Sequence, residues 1–521
     1  MIRQLLGAAL FALAGAAGQA QVGTVAVAEG KLDGVSADGV TAFKGVPFAA
    51  APVGTLRWAS PVPAPHWAGV RQADRFAPSC MQDPAFSARM GMPPAISEDC
   101  LYLNVWTPAK TAAERLPVMV WIYGGGFALG STAWPIYDGT RFAKQGVVLV
   151  SVAYRLGALG FLATSELSRE GGGGSGTYGL QDQVAALRWV KANIARFGGD
   201  PARVTIFGES AGGMSTSILA ASPPARGLFQ RVISESGGSF SPPQTVEGAR
   251  GETVMPLDRA EAQGARFLAA IGAKDIAAAR ALPAATVQAG PDASRMGGFW
   301  PVLDGKVIVG DQYVLYGAGR FNDTPALIGT NSDEGALFAQ PGMTTARFEE
   351  EVRHGFGAHA GAILAAYPHA TDADAAQASK DIFRDSTFGW STWAWARLQA
   401  EHGATKPFVY YFDHRTPTSP HGASHAAEMA FVFGNFGVPG GENPTLDERT
   451  LSDRMQRYWV NFARSGDPNG PGLPQWPRFD PAEQQVLMLD GGAAAVRLPN
   501  LPQLKAMDNY FAWRRTPAGA H

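Results

Sequence analysis

Short apolar runs separated by glycine and proline turns dominate the first half of the chain. These runs are rich in β-branched and aromatic side chains, which is the pattern of buried strands. The four clearest are residues 40–48, 101–106, 116–123 and 147–154. The runs at 116–123 and 147–154 are apolar on both faces, which is typical of parallel strands covered on both sides.

A change to helical periodicity follows these runs. The apolar positions Val184, Leu187, Val190 and Ile194 recur at helical spacing, and two glycines after residue 197 predict that the helix ends there. Further strands are predicted at residues 204–207, 232–234, 326–330 and 408–412. The alternation of strands and helices indicates an α/β fold with a mostly parallel central sheet and helices on both faces.

Two alanine-rich stretches interrupt this alternation. Residues 241–320 are predicted to be helical with no obvious pair of strands, and residues 345–405 are predicted to be helical as well. Both are interpreted as helical insertions over the carboxyl edge of the sheet, and Met455 to Ala463 predicts a late helix. No internal repeat is present, and residues 21–521 are expected to form one domain.

The stretch between the strand at 204–207 and the helix that follows contains Gly208-x-Ser210-x-Gly212. This is the pattern of a nucleophile elbow, a turn so tight that side chains two residues before and after the serine would collide. Ser210 is therefore the candidate nucleophile. A serine hydroxyl also needs a base within hydrogen-bond reach, and that base needs an acid to orient it.

Composition limits the classes of partner. The chain of 521 residues is 46% hydrophobic and 17% charged, with a formal net charge of −2. These values are those of an ordinary globular protein with ample material for a core. No basic stripe is present, so no nucleic-acid partner is expected.

The first 20 residues have the features of a signal peptide. Arg3 precedes an apolar run at residues 5–17, and Gly18-Gln19-Ala20 offers a cleavage site with small residues. The run is too short to span a bilayer, so we expect no membrane span and export to the periplasm or the medium. In such an oxidising compartment Cys80 and Cys100 are more readily bridged than free, although two buried thiols remain the alternative.

Position along the chain narrows the other catalytic candidates. His414, His421 and His425 all follow the strand at 408–412, at the sheet edge where Ser210 is expected, and position alone does not separate them. The acidic turn at residues 333–335 follows another strand to the same edge. The order serine, acid, histidine is the one that the α/β-hydrolase fold requires. Three glycines at 124–126 could present backbone N–H groups to a developing oxyanion.

Several separated motifs together resemble the type-B carboxylesterases, the group of bacterial p-nitrobenzyl esterases, mammalian carboxylesterases and cholinesterases. The resemblance runs from about residue 22 to residue 511. It rests on Phe43-Lys44-Gly45-Val46-Pro47-Phe48, Ser97-Glu98-Asp99-Cys100, Tyr123-Gly124-Gly125-Gly126-Phe127, Gly179-Leu180-Gln181-Asp182-Gln183, Phe207 to Gly213, Asp333-Glu334-Gly335, and His425 with Glu428.

Transferred position by position, the resemblance implies a role for each site residue. Ser210 would be the nucleophile, Glu334 the triad acid and His425 the base. The oxyanion hole would be formed by the backbone N–H groups of Gly125, Gly126 and Ala211. Glu209 and Ser236 match polar positions that the family places near the triad. Cys80–Cys100 would be the first disulfide of the family.

The implied activity is hydrolysis of a small-molecule carboxylic ester through an acyl-enzyme. No metal or other cofactor is expected, and the oligomeric state stays open, with a monomer as the default. One departure narrows the substrate: residues 89–93 of the disulfide loop lack the aromatic residue that stacks on quaternary ammonium groups in cholinesterases, which argues against choline esters. Two alternatives stay open, an amidase or peptidase with the same machinery and a catalytically silent binding protein on the same fold.

Overall fold

A computed structural model describes residues 22–89, 91–93, 95–245, 254–438 and 443–520. The predicted signal peptide at residues 1–20 therefore lies outside the described residues. None of the helices in these ranges is long and apolar enough to cross a membrane.

An eleven-stranded sheet forms the centre of the molecule. In chain order its strands are β1 (Val35–Ala37), β2 (Val40–Pro47), β3 (Tyr102–Thr107), β4 (Leu116–Ile122), β5 (Val148–Val152), β6 (Gly199–Glu209), β7 (Arg231–Glu235), β8 (Ala326–Asn331), β9 (Phe408–Phe412), β10 (Gln485–Leu489) and β11 (Ala494–Arg497). Their spatial order is β1-β2-β3-β5-β4-β6-β7-β8-β9-β10-β11. The strands from β5 to β10 pair in parallel, and antiparallel pairs lie at the two edges.

Smaller β-elements lie beside this sheet. They are a three-stranded sheet of Thr24–Val27, Gly30–Asp33 and Val70–Gln72, and two parallel pairs, Ser79–Cys80 with Ile96–Ser97 and Met255–Pro256 with Val302–Leu303. The last pair lies within residues 241–320, where the sequence shows no obvious pair of strands. Its strands are two residues long, too short to leave a periodic signal in the sequence.

The helices cover the sheet and its carboxyl edge. The α-helices are Pro84–Arg89, Thr140–Lys144, Gly157–Phe161, Ser165–Glu170, Tyr178–Asn193, Ala211–Ala221, Leu257–Ala270, Ile276–Ala281, Ala284–Gln288, Gln312–Gly317, Thr345–Phe356, Ala360–Ala366, Asp372–Arg384, Trp390–His402, Met429–Phe433, Leu446–Ser465 and Leu501–Arg514. Short 3-10 turns occur at Gly54–Leu56, Pro135–Tyr137, Ile194–Phe197, Pro223–Ala225, Glu334–Phe338 and Gly357–His359, and a π-helical turn at Asp385–Gly389.

The burial of the strands explains the sequence pattern. Every residue of β5, β8 and β9 is buried, as expected for parallel strands with helices on both faces. The α/β-hydrolase architecture predicted from the sequence is confirmed. The predicted late helix is longer than expected, Leu446–Ser465, and it begins with a capping box in which Thr445 and Glu448 bond reciprocally to backbone N–H groups.

The carboxyl ends of the parallel strands bring distant parts of the chain to one edge. β4 leads to the glycine loop at 124–126, β6 to Ser210, β7 to Ser236, β8 to Glu334 and β9 to the loop that contains His425. Parallel strands share a direction, so these five connections all emerge on the same side of the sheet. The edge is therefore the place to look for a site.

Candidate active site

Ser210 occupies a strained turn between β6 and the helix Ala211–Ala221. Its backbone has φ 55° and ψ −124°, a conformation that residues other than glycine rarely adopt. A Cβ at Gly208 would lie 2.5 Å from the carbonyl carbon of Gly212, and one at Gly212 would lie 2.0 Å from the carbonyl oxygen of Ile122. The steric reason for both glycines of the motif is therefore visible in the structure.

His425 lies between Ser210 and Glu334. Its Nε2 is 2.9 Å from Ser210 Oγ, and its Nδ1 is 2.6 Å from Glu334 Oε2. The other carboxylate oxygen of Glu334 accepts the backbone N–H of Asn331 at 2.8 Å. Glu334 is fully buried and Ser210 is partly exposed, so the serine is the member of this group that solvent can reach.

The structure thus separates the three histidines that position alone left open. His425 contacts both partners, whereas His414 Nε2 lies 3.0 Å from Glu448 Oε1, on the helix Leu446–Ser465. His421 is exposed. The adjacent acids are distinguished as well, because Asp333 faces Gln377 and Lys380, at 3.3 and 3.4 Å, rather than the imidazole.

A second carboxylate, that of Glu209, lies close to the imidazole. Glu209 Oε1 is 3.2 Å from His425 Nε2, and both side chains are buried. Burial raises the pKa of Glu209 to about 7. Burial by itself would lower the pKa of His425, but the carboxylates of Glu209 and Glu334 outweigh it and raise that pKa to about 9. The pair therefore favours the imidazolium form.

The glycine loop lies directly against the elbow. A Cβ at Gly124 would lie 2.6 Å from the backbone oxygen of Glu209 and 3.0 Å from Ser210 Cβ. Gly125 and Gly126 have φ values of 102° and 59°, which favour glycine. Among the described residues, the backbone N–H groups of Gly125, Gly126 and Ala211 donate to no protein acceptor. These three donors are free to bind an anionic oxygen.

The helix that begins at Ala211 also contributes electrostatically to this group of donors. It is the first residue of the helix Ala211–Ala221, and Ser210 is the N-cap. The amino-terminal end of a helix carries a partial positive charge. Negative charge that develops beside Ser210 would consequently be stabilised by this end of the helix.

Buried acids that the sequence reasoning did not assign lie behind the triad. Glu235 is the register neighbour of Glu209 on β7 and accepts the indole N–H of Trp459 at 2.7 Å. Glu428 accepts the side-chain amide of Asn331. Burial raises the pKa of Glu235 to about 8 and that of Glu428 well above its ordinary value. The only signal in the sequence was the position of each acid, at a strand end or three residues after His425.

The cysteine pair and Ser236 are the remaining residues that the sequence singles out. Cys80 and Cys100 form a disulfide, as predicted, across 20 positions of sequence. Ser236 is fully buried with φ 49°, and its N–H donates to Gly329 at 2.8 Å. Its hydroxyl has no protein partner among the described residues, and no hydrogen bond there joins it to the triad.

The fold and this edge define a hydrolase of the α/β-hydrolase class with a serine at its elbow. Comparison with known proteins gives the family: the profile of the carboxylesterase family matches residues 21–505. The chain belongs to the carboxylesterase family and is a serine carboxylesterase, which hydrolyses carboxylic esters.

Individual relatives and structures agree with this assignment. Fumonisin B1 esterase of Sphingopyxis macrogoltabida is 37% identical over 467 residues, covering 87% of this chain and 83% of that protein. Para-nitrobenzyl esterase of Bacillus subtilis is 34% identical, covering 92% of this chain and 97% of that protein. A solved PNB esterase superposes with a TM-score of 0.80 at 32% identity, covering 94% of this chain and all of that one.

Proposed function

We propose that Ser210, His425 and Glu334 form the catalytic triad of this esterase and that hydrolysis proceeds through an acyl-enzyme. The observation that carries the proposal is the continuous chain of contacts from Ser210 Oγ through the imidazole to Glu334, at 2.9 and 2.6 Å. The alternative of a silent binding protein does not account for this chain of contacts or for the strained serine.

The first half-reaction forms a bond between Ser210 Oγ and the acyl carbon. His425 Nε2 accepts the hydroxyl proton as the oxygen attacks, and Glu334 holds Nδ1 and stabilises the imidazolium. The carbonyl oxygen becomes negative, and the N–H groups of Gly125, Gly126 and Ala211 bind it. His425 then returns the proton to the leaving alcohol as the carbon–oxygen bond to the alcohol breaks.

The second half-reaction repeats these steps with water. His425 takes a proton from water as the water oxygen attacks the acyl carbon. It then gives that proton to Ser210 Oγ as the bond between Oγ and the acyl carbon breaks and the carboxylic acid leaves. The residues need no metal or other cofactor for any of these proton transfers. Glu209 supports the charged imidazole in both half-reactions through its position 3.2 Å from Nε2.

A p-nitrophenyl ester series from acetate to laurate, compared with Ser210→Ala, tests the mechanism. We expect turnover on the short esters in the native enzyme and none above background in the variant. A stoichiometric burst of p-nitrophenol with a slowly deacylating ester should also disappear. An unchanged thermal unfolding curve controls for folding. Comparable activity in a folded Ser210→Ala enzyme would contradict the assignment.

We also propose that the mature protein is exported after cleavage near residue 20. The signal-like first 20 residues and the Cys80–Cys100 disulfide support this location, since disulfides persist in oxidising compartments. Cell fractionation with mass spectrometry of the amino terminus tests it. An uncleaved chain in the cytoplasmic fraction would contradict the proposal.

We also propose that the protein is a monomer. Light scattering tests this, and a larger assembly would contradict it.

A further inference from the structure

Phe388 lies flat against the imidazole of His425. The two ring centroids are 4.6 Å apart and the ring planes differ by 16°. Phe388 is buried, and a second ring, Phe338, lies 5.5 Å from the imidazole at a tilt of 53°. A third, Phe383, stacks on Phe338 at 4.5 Å and lies edge-on to Phe388 at 6.1 Å, but it makes no ring contact with the histidine among the described residues.

The backbone at Phe388 departs from an ordinary helix. Residues 385–389 form a π-helical turn between the helices Asp372–Arg384 and Trp390–His402. Such turns are rare in proteins and are frequently found at functional sites. Phe388, the residue whose ring contacts His425, lies within this turn.

Buried hydrogen bonds hold this turn in place. The Asp385 carboxylate accepts from Arg384 at 2.8 and 3.0 Å, from the Tyr367 hydroxyl at 2.9 Å and from Asn500 at 2.6 Å. All four side chains are buried. A carboxylate with this many donors holds Asp385, the first residue of the π-helical turn, in one place. It therefore also restricts the position of Phe388, three residues later in the same turn.

Arg384 connects this turn to the acid of the triad. Its guanidinium also donates to the backbone oxygen of Ser332 at 2.9 Å, two residues before Glu334. Ser332 Oγ in turn accepts the N–H of Ala423, two residues before His425, at 2.9 Å. Arg384 therefore links the turn that carries Phe388 to the segments that carry Glu334 and His425.

We propose that Phe388 is a positioning residue for His425, holding the plane of the imidazole and favouring its protonated form during acyl transfer. The proposal rests on the proposed role of His425 as base. Hydrogen bonds at Nδ1 and Nε2 fix the line between the two nitrogens, but the ring can still rock about that line. A flat aromatic face opposes this rocking, and it attracts the imidazolium through its quadrupole.

Replacement by leucine separates these effects from simple burial, because leucine keeps an apolar side chain but has no ring face. For Phe388→Leu we expect kcat per titrated active site to fall about tenfold, from loss of the aromatic face. We expect the acidic limb of kcat/KM to move about half a pH unit lower, because the imidazolium loses an attractive neighbour. KM for p-nitrophenyl acetate should change little.

Phe383→Leu is the matched control, since Phe383 belongs to the same aromatic cluster without contacting the imidazole. It should keep the native kcat and pH profile. Active sites are counted by the burst with a p-nitrophenyl phosphonate, so any unfolded fraction does not enter kcat. Should Phe388→Leu fail to fold, Phe388→Met supplies a second side chain without a ring.

The outcomes distinguish this proposal from the proposed function. A native kcat and an unshifted acidic limb in titrated Phe388→Leu would overturn the positioning role, as would equal losses in Phe383→Leu. In both cases Ser210→Ala, measured in parallel, would still be inactive. Activity that survives in Ser210→Ala would instead overturn the proposed function itself.

Discussion

We predict that the charge of Glu209 sets part of the pH dependence of catalysis. Its Oε1 lies 3.2 Å from the nitrogen of His425 that must accept the Ser210 proton. A negative charge there stabilises the imidazolium and so raises the pH at which the base becomes available. Glu209→Gln keeps the shape of the side chain and removes the charge.

The magnitude follows from the distance. A full charge at 3.2 Å would contribute ~5 kcal/mol at an effective dielectric constant of about 20. Burial raises the pKa of Glu209 to about 7, so this carboxyl is ionised at the pH near 9 where His425 loses its proton. Opposite charges this close shift a pKa by about 1–3 units, and we expect the lower half of that range. The pKa of His425 should fall from about 9 toward the 7–8 region, with Glu334 maintaining the rest.

The assay is kcat/KM for p-nitrophenyl butyrate from pH 5 to 10 at constant ionic strength. In the native enzyme kcat/KM should rise with pH as His425 loses its proton, and a flat profile from pH 5 to 8 would contradict a histidine base. In Glu209→Gln the rising, acidic limb of the kcat/KM profile should lie one to two pH units lower.

A surface charge provides the control. Glu350 is exposed on the helix Thr345–Phe356, and Glu350→Gln removes the same charge without touching the site. Its limb should coincide with that of the native enzyme. A limb for Glu209→Gln that is unmoved, or that moves to higher pH, would refute the electrostatic reasoning and leave Glu209 with a packing role only.

Three further predictions concern stability. Ser210→Gly should raise the free energy of unfolding by about 1 kcal/mol, because it releases backbone strain at φ 55° while abolishing turnover; a lower melting temperature would argue against strain. Replacing Cys80 and Cys100 together by serine should cost about 3 kcal/mol in urea unfolding, from the freed loop, and an unchanged midpoint would contradict this. Arg384→Met should cost about 3–5 kcal/mol, since it leaves the Asp385 carboxylate buried without its cation, so a variant of native stability would show that the ion pair contributes little.

The elbow shows how far local sequence carries a prediction. Gly208 and Gly212 were assigned a steric role from their spacing about Ser210, and the structure places a Cβ of either within 2.5 Å of backbone. That requirement is local, because it depends only on a tight turn beside a strand. The partners of Ser210, Glu334 and His425, are 124 and 215 positions away in the sequence. A pattern of a few residues cannot show which distant side chains will contact the serine.

The choice among the histidines illustrates the limit. His414, His421 and His425 share one loop, so periodicity treats them alike, and only motif resemblance favoured His425. The structure separates them because the loop folds back over the acid turn, where the N–H of Asp333 donates to Ala423 at 2.9 Å. No pattern in the sequence assigns Phe388 to the site, since its contact with His425 joins the helical insertion at residues 345–405 to the loop after β9.

The sequence by itself determined the elements and the elbow, because strand alternation, helical periodicity and glycine sterics act over a few residues. It also determined the family, because several short motifs recur in one order. Only the tertiary structure decided which charges meet. The pKa shifts of Glu209 and His425 and the buried acids behind them arise where separate strands end at one edge, and the ring on the imidazole comes from the π-helical turn at Asp385–Gly389. Burial and distance, which set those energies, exist only once the chain has folded.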